Sequence, residues 1–347
     1  ESQHTMQNTI VAKRGEIYML DGSEPVPIVM NSKVWSVIID PQITRGDREK
    51  VEKTIRENAS DFLIRDNFDE AYAYATQYAK EQGLTFVHPF DDELVQAGQG
   101  TIALEMLEDV ADLEYLVVPV GGGGLVSGIA SCAKQINPDI KIIAVSAKGA
   151  PAMYESFKKK EAINSKSVRT IADGISVRDT SKITLKTILE CVDEFVQVDD
   201  EEIASAILYL LEEQKIIVEG AGAVGVAALM NAKFSYPKNA KIGIVLSGGN
   251  IDVQMLNIII EKGLIKSHRK MTVSVTLVDK PGALMNLTEI LRKANANIVK
   301  IDYDRFSTKL DYGDAAITIT LETKGKDHQE DIAYALKNAG YDFKEIL

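Results

Sequence analysis

Two glycine-rich stretches contain the residues whose types and spacing could do chemistry. The first, GGGGL at 121–125, follows the apolar run YLVVPV and precedes a run of small residues. Because glycine has no Cβ, its backbone can approach an anion closely, and a helix that starts there offers unpaired N–H groups and a positive dipole end. The stretch therefore predicts a phosphate-binding loop, with a purely structural tight turn as the alternative.

The absence of two known phosphate-loop motifs limits which phosphate-bearing ligand the loop could bind. A dinucleotide loop has the pattern GxGxxG and an acidic residue about 20 positions later, whereas these glycines are contiguous and KIIAVSAK at 141–148 contains no acid. The Walker pattern GxxxxGK[ST] does not occur either. The second stretch, LSGGN at 246–250, brings the hydroxyl of Ser247, which suits a ring nitrogen. Together with EGAGA at 219–223, these features favour a heteroaromatic phosphate cofactor.

The elements that must position these loops alternate between strands and helices. The strand at 115–120, the helix at 124–137 and the strand at 141–147 form a βαβ unit, which is typical of a parallel sheet. Other strands are predicted at 15–20, 34–40, 85–89 and, ending in a glycine loop, at 241–252; DGSEPVP at 21–27 is predicted to be a turn. Helices are predicted at 46–58, 67–83, 98–110, 201–215 and 219–234, and the small, apolar residues of the last predict that it is buried all round. After a polar joint at 267–270 the pattern becomes βαββαβ, which predicts a ferredoxin-like module.

Composition and charge exclude several classes of protein. The 347 residues favour two or three domains, and 39 basic against 51 acidic residues give a net charge of −12, which argues against a nucleic-acid partner. An uninterrupted run of about 18 apolar residues does not occur, so we expect no membrane association through a spanning helix. Cys132 and Cys191 are predicted to be buried free thiols, and the protein is expected to be cytoplasmic.

The succession of motifs resembles that of the pyridoxal-phosphate-dependent threonine ammonia-lyases (threonine dehydratases) of fold type II. The motifs, in order over residues 66 to about 265, are DNFDEAY, FVHPFDD, AGQGTIALE, VPVGGGGLVSGIA, TIADG, VEGAGAVGVAAL and LSGGNID. Residues 271–347 resemble an ACT domain, an amino-acid-sensing module. The resemblance implies an α/β fold with a parallel-sheet fold-type-II core at 66–265, an ACT regulatory domain at 271–347, and pyridoxal 5'-phosphate as the cofactor.

The resemblance also implies roles for individual residues. The residues that would bind the cofactor phosphate are Gly121, Gly122, Gly123, Gly124 and Leu125. Ser247, next to Gly248, would hydrogen-bond the pyridine nitrogen, and Glu219 would lie near the ring. Asp173 in TIADG corresponds to a cation site of some relatives, with a turn aspartate as the alternative. His88 has no metal-like spacing and is interpreted as a packed loop histidine.

The N-terminal segment 1–65 departs from the family. The family's Schiff-base lysine motif and its Ser-Ala-Gly-Asn-His loop, which grips the substrate carboxylate, are not found in it. A weak alignment places Lys33, in NSKVW, near the Schiff-base position; Lys13 is the other candidate, and a solvated surface lysine is the alternative for both. We therefore expect the smaller, cofactor-covering domain to be truncated or replaced. Loss of the lysine would remove most of the rate, because it delivers the cofactor and shuttles the α-proton.

Three functional hypotheses follow. The resemblance implies conversion of L-threonine, or alternatively serine, in isoleucine biosynthesis or threonine catabolism, by a homo-oligomer regulated by an amino acid. A catalytically impaired sensor that binds pyridoxal phosphate or an amino acid is the second hypothesis, and a chimera with a foreign N-terminal segment is the third. The residues assigned to the effector site, at or near the DKPGAL turn, are Asp279, Gly282, Asn286, Asn297 and Ile298. An ordinary turn with proline at its second position is the alternative for DKPG.

Overall fold

The computed structural model describes the backbone of Ile17–Asp21 and Glu24–Ile28 and then residues 68–346. Strands β1 (Ile17–Asp21) and β2 (Glu24–Ile28) pair antiparallel. The sequence predicted the first strand correctly but wrongly assigned the second to a turn. Its prolines stand at alternate positions, which share one edge of a strand, so the other edge can still pair. The elements predicted at 34–40 and 46–58, and both candidate lysines, Lys13 and Lys33, lie outside the described residues.

The first of two compact units, Glu1–Ile251, contains a four-stranded parallel sheet. Its strands are β3 (Tyr115–Pro119), β4 (Lys141–Ala147), β5 (Glu194–Val198) and β6 (Ile242–Ile244), in the order β5-β4-β3-β6. The helices described in this unit are α1 (Phe68–Gln82), α2 (Glu93–Asp109), α3 (Gly124–Ile136), α4 (Ala152–Lys159), α5 (Lys182–Cys191), α6 (Asp200–Tyr209) and α7 (Gly220–Met230). The parallel α/β core that the sequence predicted is thereby confirmed.

Helices cover the sheet, so its central strands, β3 and β4, are buried along nearly their whole length. All residues of β4 after the first are buried, and Leu116 and Val118 of β3 pack with Ile129 of α3. This continuous apolar pattern is typical of parallel strands buried on both faces. Helix α7 is buried from Gly220 to Ala228, as its small, apolar residues predicted.

Further differences from the sequence-based assignment lie in the first unit. The predicted strand at 85–89 is wrong: the segment has no regular structure, because the His88 ring accepts the N–H groups of Phe90 and Asp91 and turns the chain. Helix α2 begins at Glu93 rather than 98, because the Asp92 carboxylate caps its first N–H groups. Helix α4 was not predicted.

The second unit, Asp252–Leu347, is an antiparallel sheet with helices. Its elements are α8 (Val253–Lys266), β7 (Lys270–Val278), α9 (Ala283–Lys293), β8 (Asn297–Asp304), β9 (Asp314–Glu322), α10 (Lys326–Asn338) and β10 (Phe343–Glu345). The strand order is β10-β7-β9-β8. Alternate residues of β7 and β9 are buried in one cluster with Leu287 of α9 and Leu336 of α10. The predicted βαββαβ arrangement is present, and α8, which was not predicted, precedes it.

Two smaller expectations concern the boundary and the cysteines. The division after Ile251 groups α8 with the second unit, whereas the sequence placed the end of the core at 265. Cys132 and Cys191 are free and only partly buried, packed against the core cluster of the first unit. Among the helices described, none is both long and apolar enough to cross a membrane.

The crossing of α2 and α3 generates the first prediction. A Cβ on Gly128 would overlap the Gln96 carbonyl oxygen and lie 2.9 Å from the Gly100 nitrogen. We expect Gly128→Ala to lower the free energy of unfolding by about 1–3 kcal/mol through overpacking. Gly98→Ala, in α2 and with open space around it, is the control and should raise the free energy of unfolding by about 0.5–1 kcal/mol. Urea denaturation measures both, and equal shifts would contradict the prediction.

Candidate functional site

The loops that follow β3 and β6 leave the carboxyl ends of two neighbouring strands. These strands pair with Val117 opposite Ile244, and the Val245 N–H donates to the Val117 carbonyl at 3.0 Å. Ser247 follows Ile244 by three residues and Gly121 follows Val117 by four, so both stretches leave the same end of this strand pair. The strand order reverses between β3 and β6, and ligands of open α/β sheets bind at such switch points. The two glycine stretches selected from the sequence therefore meet at the expected ligand edge.

The front of the glycine loop is the start of α3. Gly122, Gly123 and Gly124 are buried, while Gly121 and Leu125 are half-buried. Gly123 precedes the helix with φ 92°, in the left-handed region that favours glycine, and no described side chain caps the first turn. The first N–H groups of a helix lack intrahelical partners and carry the positive end of its dipole. This geometry suits an anionic group.

The back of the loop packs tightly against other segments. A Cβ on Gly122 would overlap the Phe90 ring, and one on Gly121 would lie 2.8 Å from the Ile175 Cα. The buried Thr184 of α5 donates its hydroxyl to the Gly122 carbonyl at 2.8 Å. The glycines are therefore required for contact with the protein itself, in addition to leaving room for an anion.

Glu219, at the start of α7, connects two further loops of the site. Its N–H donates to the Gly248 carbonyl, and its carboxylate accepts the Asn250 N–H, both at 3.2 Å. A Cβ on Gly174 would lie 2.8 Å from this carboxylate, and one on Gly248 would overlap it. Glu219 thus lies between TIADG and LSGGN, so the structure brings together the glycine loop, Glu219, Asp173 and Ser247 with Gly248.

The charge of Glu219 is affected by its surroundings. Burial raises the pKa of this carboxyl, the Asn250 N–H opposes the change, and the nearby Asp173 charge raises the pKa further. Asp173 begins a short 3₁₀ turn, Asp173–Ile175. The described residues contain no group of three or more His, Cys, Asp or Glu side chains that could hold a metal ion. The cation site at Asp173 stays a prediction.

The residues at this edge fit a phosphate ester on an aromatic ring. An uncapped helix start behind a glycine loop offers N–H donors to the phosphate, and the half-buried Ser247 offers a neutral hydroxyl for a ring heteroatom. Sequence reasoning missed Phe90 and Thr184, which pack behind the glycine loop, and Asn250, whose N–H donates to Glu219. The motif HPFDD carries only the family resemblance, and nothing local indicates that Phe90 reaches Gly122.

The five predicted effector residues do not come together within one chain. Asp279 and Gly282 lie at the carboxyl end of β7, and Asn286 lies in the first turn of α9. Asn297 and Ile298 begin β8 and pair with the last residues of β9, at the opposite end of the sheet, about 25 Å away along the strand. The Asp279 carboxylate accepts the Tyr303 hydroxyl at 2.7 Å and pairs with Arg305 at 3.1 Å.

Fold and site together define an α/β protein whose sheet switch point fits a small phosphate-bearing ligand. Residues 30–248 match the family of pyridoxal-phosphate dependent enzymes, and the chain belongs to that family. The matched segment includes Lys33. Pyridoxal phosphate is therefore the cofactor that the glycine loop and Ser247 fit, and the predicted fold-type-II class and enzyme class are confirmed.

Named relatives and a solved structure show which members of the family the chain is similar to. The chain is 41% identical over 337 residues to an L-threonine ammonia-lyase of Thermotoga maritima, covering 96% of this chain and 83% of the relative. It is 44% identical over 308 residues to an L-threonine ammonia-lyase of Geobacter sulfurreducens, covering 89% and 76%. The structure of the processed form of threonine deaminase isoform 2 from Solanum lycopersicum matches with TM-score 0.54 and 37% identity, covering 56% of this chain and 54% of that one.

The hydrogen bond from Thr184 to the glycine loop leads to a prediction about stability. We expect Thr184→Val to lower the free energy of unfolding by about 1–3 kcal/mol, because the buried Gly122 carbonyl loses its donor while the side-chain volume is kept. Thermal or urea unfolding measures the change. Thr187→Val is the matched control, because that hydroxyl reaches only the Ile183 carbonyl of its own helix. A control as destabilised as the test variant would contradict the role given to Thr184.

Proposed function

We propose that this protein is a threonine ammonia-lyase, which converts L-threonine to 2-oxobutanoate and ammonia with pyridoxal phosphate. The observation that carries the proposal is the pair of glycine loops at the β3–β6 switch point, in a chain of the pyridoxal-phosphate family. Its relatives in Thermotoga and Geobacter are named for this activity. Serine is the alternative substrate.

Each described residue of the site has a binding or positioning task in this proposal. The N–H groups of 121–125 at the start of α3 bind the phosphate, and the Ser247 hydroxyl bonds the ring nitrogen. Glu219 fixes the LSGGN loop that presents Ser247. When bound, the cofactor supplies the electron sink for the substrate's α-carbon. Lys33, which lies outside the described residues, is the proposed Schiff-base lysine that moves the α-proton.

The second unit is proposed to be an ACT-type regulatory domain for an amino acid. Gly282, at φ 88°, precedes α9 without a side-chain cap among the described residues, so the helix start can receive a carboxylate. Asp279, next to it, is an anion for the ammonium group. Because Asn297 and Ile298 lie at the other end of the sheet, we propose a homo-oligomer in which a second copy supplies them.

Isoleucine biosynthesis or threonine catabolism, in the cytoplasm, is the proposed setting. The two free thiols, Cys132 and Cys191, support a reducing compartment. The second candidate function is a catalytically impaired sensor of pyridoxal phosphate or an amino acid. The observation that favours it is the missing lysine and carboxylate-loop motifs of segment 1–65. The departure of that segment from the family stays a prediction, although the Thermotoga alignment covers 96% of the chain.

Activity and covalent attachment test the proposal together. We expect threonine-dependent formation of 2-oxobutanoate with added pyridoxal phosphate, and a cofactor absorbance band that borohydride makes covalent at Lys33. Lys33→Ala should abolish both, because the lysine supplies the link and the proton transfer. Lys13→Ala is the control and should keep both. If no product forms above a no-enzyme control, the threonine ammonia-lyase proposal is wrong. Cofactor binding without turnover would favour the catalytically impaired sensor.

The effector site gives a separate prediction. We expect isoleucine or valine to raise the melting temperature, because a ligand of the native state stabilises it by mass action. Asp279→Asn should remove the shift by weakening the contact with the ammonium group. Asp302→Asn, an exposed carboxylate paired with Lys300 on β8, is the control and should retain it. The absence of a shift with any branched amino acid would count against the regulatory domain.

A further inference from the structure

A histidine outside the catalytic assignment controls the turn before α2. The Nδ1 atom of the half-buried His88 accepts the Asp91 N–H at 2.8 Å and the Phe90 N–H at 3.3 Å. A ring nitrogen accepts only when it carries no proton, so the ring is neutral with its hydrogen on Nε2. The ring also meets Phe90 edge-on at 4.6 Å and lies against Tyr72 and Phe86. His88 therefore fixes the backbone and the ring of Phe90 together.

Phe90 transmits this position to the glycine loop. Its ring occupies the space that a Cβ on Gly122 would need, and its Cα would lie 2.8 Å from a Cβ on Gly124. The buried Gln96 donates to the Phe90 carbonyl at 3.2 Å and holds the same residue from α2. A displacement of Phe90 would therefore remove the support behind Gly122 and Gly124.

A second series of contacts, through α5, also joins the turn at 88–91 to the glycine loop. The Asp91 carboxylate accepts the Ser181 hydroxyl, and Ser181 caps α5 by accepting the Ile183 N–H at 3.0 Å. One turn later, Thr184 donates to the Gly122 carbonyl at 2.8 Å. The turn at 88–91, the start of α5 and the glycine loop thus form a closed set of contacts, and His88 bonds to two backbone N–H groups of that turn.

We propose that His88 is a positioning residue, whose neutral ring holds Phe90 against Gly122 and so fixes the glycine loop for the phosphate of the cofactor. It acts through Phe90 and touches no reacting atom. The inference rests on the proposed function, because the ligand is the phosphate of pyridoxal phosphate. The competing explanation is simple packing, in which any ring of similar size would serve equally well.

The dependence on pH follows from the acceptor role. Burial lowers the pKa of His88 from 6.5, and the charges of Asp91 and Asp92 oppose this. Among the residues that the structure describes, Tyr72 of α1 also faces the ring, while the loop beyond Phe90 contributes glycines. Because the folded state favours the neutral ring, its contribution is complete above pH 6.5 and is lost as the pH falls below that value. A protonated Nδ1 would turn its hydrogen toward two N–H donors.

The test is the dissociation constant of pyridoxal phosphate, followed by absorbance from about pH 5.5 to 8, the range in which histidine titrates. His88→Phe keeps an aromatic ring but loses the acceptor, and should weaken binding roughly tenfold at the upper pH. His88→Asn places an amide oxygen near the former Nδ1 and should bind nearly as well as the parent there. On acidification, the affinity of His88→Asn should fall less than that of the parent protein. Because both proteins bind the same cofactor at each pH, protonation of the cofactor itself affects both equally and drops out of the comparison.

A matched control variant makes the result decisive. His328, in the second unit, also accepts a backbone N–H through Nδ1, from Lys324 at 3.1 Å, and His328→Phe should leave cofactor affinity unchanged. The inference is overturned if His88→Phe binds like the parent, or if His88→Asn follows the parent's pH curve; the latter comparison decides even if His88→Phe does not fold. A parent that binds no cofactor would overturn the proposed function as well.

Discussion

The close approach of the backbone at 121–124 is the constraint on which the site depends. Behind the loop, the Phe90 ring and the Ile175 backbone occupy the space that side chains would need. In front of it, the start of α3 presents donors that an anion can reach only if no Cβ stands in the way. One run of glycines thus satisfies a packing requirement and a binding requirement, and the two cannot be varied independently.

The position of the second loop depends on how the chain crosses the sheet. After β5 it passes through α6 and α7 to place β6 on the far side of β3, which creates the switch point. The small residues of α7 let this helix pack directly on β6 and the loop that follows it. A Cβ on Gly222 would overlap the Ser247 carbonyl, and one on Gly225 would lie 2.7 Å from the Ile244 side chain. The buried glycine-alanine helix therefore determines where the LSGGN loop stands.

Sequence patterns predicted most of the elements and the front of the site. Apolar runs, small-residue helices and glycines adjoining strands identified β3, α3, β4 and the loop containing Ser247, since these signals are local. The supports behind the loop were missed because Thr184 reaches Gly122 from 62 positions away. The false strand at 85–89 has a similar origin: its residues favour a strand, but one imidazole acceptor turns the chain. Asn297 was expected near the DKPGAL turn, but within one chain it starts a strand at the far end of the sheet.

The two units share one local arrangement, a left-handed glycine before a helix start, but it is buried in the first unit and exposed in the second. In each, a strand leads to a left-handed glycine, Gly123 or Gly282, and then to a helix without a described side-chain cap. The first helix start is buried and supported by Phe90 and Thr184, whereas the second is exposed, with open space around Gly282. An anion at an exposed helix start gains only about 0.3–1 kcal/mol. An amino acid at the proposed effector site would therefore need a further surface to cover it, which is the physical argument for the proposed homo-oligomer.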